Sequence, residues 1–436
     1  MTPVITTVQA WEALDSRGRP TVAARVTVDD GCQGMALVPS GASAGSHEAV
    51  ELRDGGSRYG GRGVRTAVAN VNSRLAPRVT GLAPGEVDAA LAAYDPSPGF
   101  ARIGANAVLA VSLAAARAGA ASDGVSLARH LAGDGPLLLP MPMVNVISGG
   151  AHAGAVIDVQ DFLVIPVGAH SFAEAIEWAA AVREAATRLA VARGHREAVL
   201  VADEGGLGVA LDSNRAALDL LIDAIKAAGF AAGTQVSIAI DVAATQFHHS
   251  VDHSAGQEGR YRLACEDRDL SAAELIAEVA DWCANYPIVS VEDILAEDDW
   301  SAWHLATAEL GGRIDLVGDD LFVTDPDRLQ RGIDSRVANS VLVKVNQNGL
   351  VSGARAVVDR ARAAGYRTIV SARSGETEDA WLADLAVGWR AGQIKVGSTH
   401  RSERTAKWNR LLELEATEQT TFAGPWPGGQ PRKGPR

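Results

Sequence analysis

The chain has 436 residues, 47% of them hydrophobic and 21% charged, with a formal net charge of −13. That length suits a barrel plus a smaller domain, and the apolar share allows a large core. The acidic balance argues against nucleic acid, whose phosphates need a basic face, but local cations in a cleft can still hold a small anion.

Three cysteines, Cys32, Cys265 and Cys283, are scattered and odd in number. They read as reduced thiols of a cytoplasmic protein. The first residues carry Glu12, Asp15 and Arg17 and no apolar run, so no secretory leader is expected. The alanine-rich stretch 105–121 is interrupted by Arg117 and reads as too short for a membrane span, so no membrane partner is expected.

Residues 4–39 read as strands separated by the turns DSRGRP and DDGC. Helical patterns follow at 64–82 and 105–121, which makes 1–134 a predicted α+β capping domain. The segment GDGPLLLPMP from Gly133 reads as a linker. Beyond it, apolar runs fall at 199–203, 236–241, 288–293, 314–320, 340–345, 366–373 and 392–397. Amphipathic helices fit between and around them at 172–193, 213–228, 271–285, 351–364 and 401–415. The alternation predicts a TIM-like β/α barrel over 138–421, with a doubly wound sheet as the alternative. The Pro/Gly-rich tail, 422–436, is predicted to be disordered.

The apolar runs end in Asp241, Glu292, Asp319, Lys344, Ser371 with Arg373, and Lys395. One such residue is an ordinary solvated strand end. A whole series in register points to the C-terminal mouth of a barrel, where active sites sit. Asp241, Glu292 and Asp319 form a hard-oxygen set without His or Cys, suited to Mg²⁺. Lys344 and Lys395 are general-base candidates, because a lysine held among cations and a metal has a lowered pKa; one of the two is also readable as a structural ion pair with one of the acids.

The motifs SGASAGSHEAVELRD (40–54), GANAVLAVSLA (104–114), MPMVNVISGGAHAG (141–154), DEGG (203–206), VEDILAEDDW (291–300), LVGDDLFVT (316–324), VLVKVNQ (341–347), SARSGETED (371–379) and GQIKVGS (392–398) together resemble the enolase family, in order and over almost the whole chain. The resemblance implies an enolase-type fold and a lyase that takes a proton from beside a carboxylate and expels the neighbouring group. It implies two Mg²⁺ per active site, with Asp241, Glu292 and Asp319 on the first and Ser43 helping to hold the second. Lys344 matches the base and Glu204 the general acid. Lys395 matches the lysine at the substrate carboxylate, Arg373 and Ser374 the phosphate clamp, and His152 and Gln160 the lid and substrate shell. The family further implies a small phosphorylated or phosphonylated carboxylic acid as substrate and a homodimer or an octamer of dimers.

Departures gather near the leaving group: Asp161 stands where a Glu is usual, Ala372 where a His is usual, and Leu207-Gly208-Val209-Ala210 where Phe-Ala-Pro-Asn is usual. Asp161 is read as a second catalytic carboxyl beside Glu204, retracted by about 1.5 Å for the missing methylene. These departures predict weakened turnover of 2-phosphoglycerate and a changed substrate. Enolase homologues of that kind, the carboxyphosphonoenolpyruvate synthases, make a phosphoenolpyruvate analogue in phosphonate antibiotic pathways. A non-catalytic scaffold is disfavoured, since metal, base and acid positions are all present.

Overall fold

A computed structural model describes residues 2–41, 45–249, 259–426 and 429–430. Three antiparallel strands, Ile5–Leu14, Pro20–Val28 and Gln33–Leu37, open the chain. They pack on the helix Ala105–Ser122, which is 78% buried. That helix is long and apolar enough to cross a bilayer by length and composition, but its apolar surface is already covered by the protein's own core. Gly34 makes the close approach possible: a Cβ there would stand 2.1 Å from the Ala114 carbonyl oxygen.

The rest is a closed barrel of eight strands. They are Met141–Ser148, Asp161–Ile165, Ser237–Asp241, Ile288–Glu292, Asp315–Gly318, Ser340–Val343, Arg367–Ser371 and Gln393–Gly397. The last pairs with the first through Gln393 and Met141, closing the ring. Almost every residue of these strands is buried, as expected when helices cover one face and barrel-filling side chains the other. The helices start on side-chain caps: Ser171 accepts from Glu174 N, Ser271 from Glu274 N, and Asp325 from Arg328 N. Each such cap contributes about 1 kcal/mol.

The second barrel strand, Asp161–Ile165, runs antiparallel to both neighbours, with Asp161 opposite Ser148 on one side and Asp241 on the other. Its first residue, not its last, therefore reaches the mouth. This differs from the expected repetition of strand–helix units. The run 199–203, expected as a strand, is instead a 3₁₀ turn at Arg196–Val199 followed by loop, with Val199 and Leu200 each 69% exposed. Its place in the barrel is taken by Met141–Ser148 and Asp161–Ile165. The first of these overlaps the expected linker, whose prolines suggested a break.

The tail also departs from expectation. Thr420–Phe422 pairs with Leu137–Leu139. Trp426, only 5% exposed, packs with Met141, Met143, Leu163 and Ile165 inside the barrel. Burial of a large indole offsets the ordering cost of a Pro/Gly-rich segment. Residues 427, 428 and 431–436 of that expected tail lie outside the described residues.

Candidate active site

The strand ends converge on a small cavity of about 30 Å³. Its wall includes His152, Gln160, Glu204, Asp241, Asp319, Lys344, Arg373, Ser374 and Lys395. Glu292 lies just behind the wall, and Ser43 falls outside the described residues.

Two lysines organise the carboxylates. Lys395 Nζ donates to Asp241 Oδ2 at 2.6 Å and to Glu292 Oε2 at 2.7 Å. Lys344 Nζ donates to Asp319 Oδ2. Gln160 Nε2 adds a bond to Asp241 (3.0 Å), and Gln347 Nε2 one to Asp319 Oδ1 (3.0 Å). The second oxygen of Glu292, Oε1, is buried without a partner among the described residues. An orphaned carboxylate oxygen in an all-oxygen set is what a hard divalent cation would satisfy, so the residues fit a Mg²⁺ site.

The electrostatics follow from burial and neighbours. Burial and the adjacent Asp241 push the Glu292 carboxyl well up, against the pull of Lys395. Burial also opposes charge on Asp319, but Lys344 outweighs it and holds that carboxyl below its usual value. For Lys344 burial acts downward, yet Asp319 prevails and the lysine sits above its ordinary pKa. The lowered value was expected for a lysine beside a bound metal, and these side chains alone hold Lys344 the other way. The neighbouring cations, Arg373 and Lys395, are outweighed by one directly bonded carboxylate.

Sequence reasoning passed over the acids next to the expected ligands. Asp293, buried and at a left-handed φ of 41°, accepts Asp319 N (2.9 Å) on one oxygen and Asp320 N (2.7 Å) on the other. It thereby fixes the loop that presents Asp319. Asp320 is pushed up to about 7 by burial and by Asp319. Asp293, Asp319 and Asp320 bring ligand atoms within 4.8 Å of one another. The doublets Glu292-Asp293 and Asp319-Asp320 were the available signal.

The acid side is built on the reversed strand. His152 Nδ1 lies 3.0 Å from Asp161 Oδ2, and its Nε2 lies 3.7 Å from Glu204 Oε1. Asn145 and Ser148 donate to the other oxygen of Asp161. Burial disfavours a charged imidazole, but Asp161 and Glu204 outweigh it and lift His152 to about 9. Glu204 is held low: burial is overcome by His152 and Arg404. Asp161 was expected as a catalytic carboxyl beside Glu204. It is fully buried and does not line the cavity, yet a carboxylate oxygen of Asp161, one of Glu204 and a ring nitrogen of His152 lie within 4.8 Å of one another. Asp161 therefore sits beside Glu204, as expected, and bonds the histidine as well.

At the far wall, Arg373 is bonded by Glu48 through both carboxylate oxygens, at 2.9 and 3.1 Å, and by Asn346 Oδ1 at 3.0 Å. Glu48 belongs to the segment after residues 42–44, and sequence reasoning gave it no role.

The family model for the enolase C-terminal TIM barrel domain matches residues 136–427, and that for the enolase N-terminal domain matches residues 5–131. The chain is also 50% identical, over 415 residues, to a protein of Acidothermus cellulolyticus named enolase, covering 94% of each.

Proposed function

This chain belongs to the enolase family and is a lyase of the phosphopyruvate hydratase kind, and on that premise we propose that it dehydrates 2-phosphoglycerate to phosphoenolpyruvate with two Mg²⁺ ions. One observation carries the reading: one small cavity is lined by Lys344, Lys395, Arg373 and the neighbouring His152 and Glu204. Asp241, Glu292 and Asp319 would hold the tighter Mg²⁺, and Ser43 would help hold the second. Bound there, the metal supplies Lewis-acid stabilisation to a carboxylate that gains a second negative charge when its α-proton leaves.

Lys344 takes the α-proton. Among the described residues its directly bonded partner is Asp319, which is also one of the carboxylates that would hold the cation. Lys395, reaching between Asp241 and Glu292, faces the substrate carboxylate. Arg373 and Ser374 receive the phosphate, for which the guanidinium offers two parallel donors. Gln160 and His152 complete the substrate shell. The departing hydroxyl leaves as water with a proton that Glu204, itself held ionised, first takes from His152, protonated at neutral pH and 3.7 Å away.

Asp161 bonds His152 and lies beside Glu204, and the changed substrate that its missing methylene suggested is the alternative reading. Steady-state kinetics on 2-phosphoglycerate test the reading: kcat/KM should fall in the ordinary range of about 10⁴ to 10⁸ M⁻¹s⁻¹. A value several orders lower, with turnover of a phosphonate analogue, would replace it with the specialised-metabolism reading.

A further inference from the structure

The helix Ser402–Thr417 begins soon after the barrel strand Gln393–Gly397. Near its start, Arg404 has no solvent exposure. A buried guanidinium is costly unless its donors are met. Nη1 donates to the carbonyls of Arg373 (2.7 Å) and Val396 (3.1 Å), and Nη2 donates to that of Ser374 (2.5 Å). Two of the three acceptors are thus consecutive carbonyls of the segment that lines the cavity. The carboxylates nearest the guanidinium are Glu403, 3.5 Å from Nε, and Glu204, 3.9 Å from Nη1, while the hydrogen bonds of both Nη atoms go to main chain.

Lys407, three residues further along the same helix and equally buried, donates to the Thr377 carbonyl and pairs with Glu376 at 2.9 Å. The other oxygen of Glu376 accepts from Arg373 N at 3.1 Å. Gly397 leaves room for this packing: at its φ of 107° a Cβ would stand 3.0 Å from Arg404 Cδ and 2.8 Å from the Glu204 carbonyl oxygen.

We propose that Arg404 is a positioning residue for phosphate recognition, holding residues 373–374 so that their donors face the cavity. A trans peptide directs its N–H opposite to its C=O. Fixing the Arg373 carbonyl against Arg404 therefore turns the Ser374 N–H the other way. Fixing the Ser374 carbonyl turns the Gly375 N–H, which indeed donates to the Ser40 carbonyl at 2.8 Å. A lysine is a point charge on a flexible stem and cannot hold two carbonyls in one plane. The inference rests on reading Arg373 and Ser374 as the phosphate clamp.

The test uses full-length Arg404→Lys and Arg404→Gln, with Arg373→Lys in parallel. The inhibition constant of inorganic phosphate is measured beside KM and kcat for 2-phosphoglycerate, Mn²⁺ affinity and Tm. In Arg404→Lys the phosphate constant and KM should both rise about tenfold, the scale of one lost hydrogen bond to a charged group. Mn²⁺ affinity should stay near the parent value. Unchanged phosphate binding in Arg373→Lys overturns the clamp and the inference with it. Loss there, but unchanged phosphate binding in both Arg404 variants, overturns the inference alone. So would an equal loss of Mn²⁺ affinity, or failure of both Arg404 variants to fold, since either makes Arg404 a general structural element.

Discussion

Glu48 grips Arg373 with both carboxylate oxygens, at 2.9 and 3.1 Å, while accepting from the backbone N–H of Gly45 at 2.9 Å. The side chains are 8% and 4% exposed, so little water screens the pair. An anion thus sits in the fork proposed for the substrate phosphate. Replacing Glu48 by Gln keeps the shape and removes the competing charge. Inorganic phosphate should then bind about tenfold tighter, the equivalent of one charge-assisted hydrogen bond no longer contested. Weaker binding, read as the inhibition constant, would mean that Glu48 orients the guanidinium instead.

The orphaned oxygen of Glu292 makes metal binding separable from catalysis. Mg²⁺ at 100 times its Kd should stabilise the parent protein by about 2.7 kcal/mol through mass action, seen as a rise in Tm. Glu292→Gln should lose that rise. Alanine at Asp241, Glu292 or Asp319 should lower kcat by roughly 10²-fold or more, as loss of a major electrostatic stabiliser does. Full activity in excess chelator would contradict the assignment.

Lys344→Ala should abolish exchange of the substrate α-hydrogen with D₂O and leave the circular dichroism spectrum intact. Persistent exchange at the parent rate would move the base to Lys395, the other lysine in the cavity wall.

The pH dependence of stability should carry the signature of His152. Its folded pKa is raised from 6.5 to about 9 by Asp161 and Glu204 acting against burial. A raised cationic pKa contributes stability that is fully present below about 6.5 and is lost as pH climbs through about 9. Burial shifts Asp161 upward, which offsets part of this. The net contribution is on the order of 2 kcal/mol. Asp161→Asn should flatten the decline between these limits in denaturant melts at stepped pH. An unchanged slope would show that Asp161 does not hold the imidazole.

Much of the barrel was legible because parallel strands buried on both faces read as unbroken apolar runs, and six of them ended in the right residues. The first two strands were not. Met141–Ser148 contains Pro142 and follows Pro140, and proline argues against a central strand because it donates no ladder hydrogen bond. Asp161–Ile165 carries its polar residue at the start, the opposite of the pattern being sought. The same reversal hid the bond between Asp161 and His152, which only the folded chain brings together. Ser43 was legible as a motif, but its place lies outside the described residues. Arg404 and Lys407 gave no signal in sequence: two cations on a helix look like a solvated face until burial is known.

The antiparallel second strand also changes how the mouth can be altered. Because that strand starts at the mouth where its predecessor ends, residues 148–161 form one continuous lip from Ser148 to Asp161, which are paired partners in the sheet. The lip supplies His152 and Gln160 to the cavity, and its two feet are clamped together by the ladder. It is therefore a cassette: its length and composition can change with neither foot displaced and with the ring of strands left closed. A transplant of that one peptide between homologues should carry its leaving-group chemistry with it, whereas no single loop following a parallel strand returns to the mouth in this way.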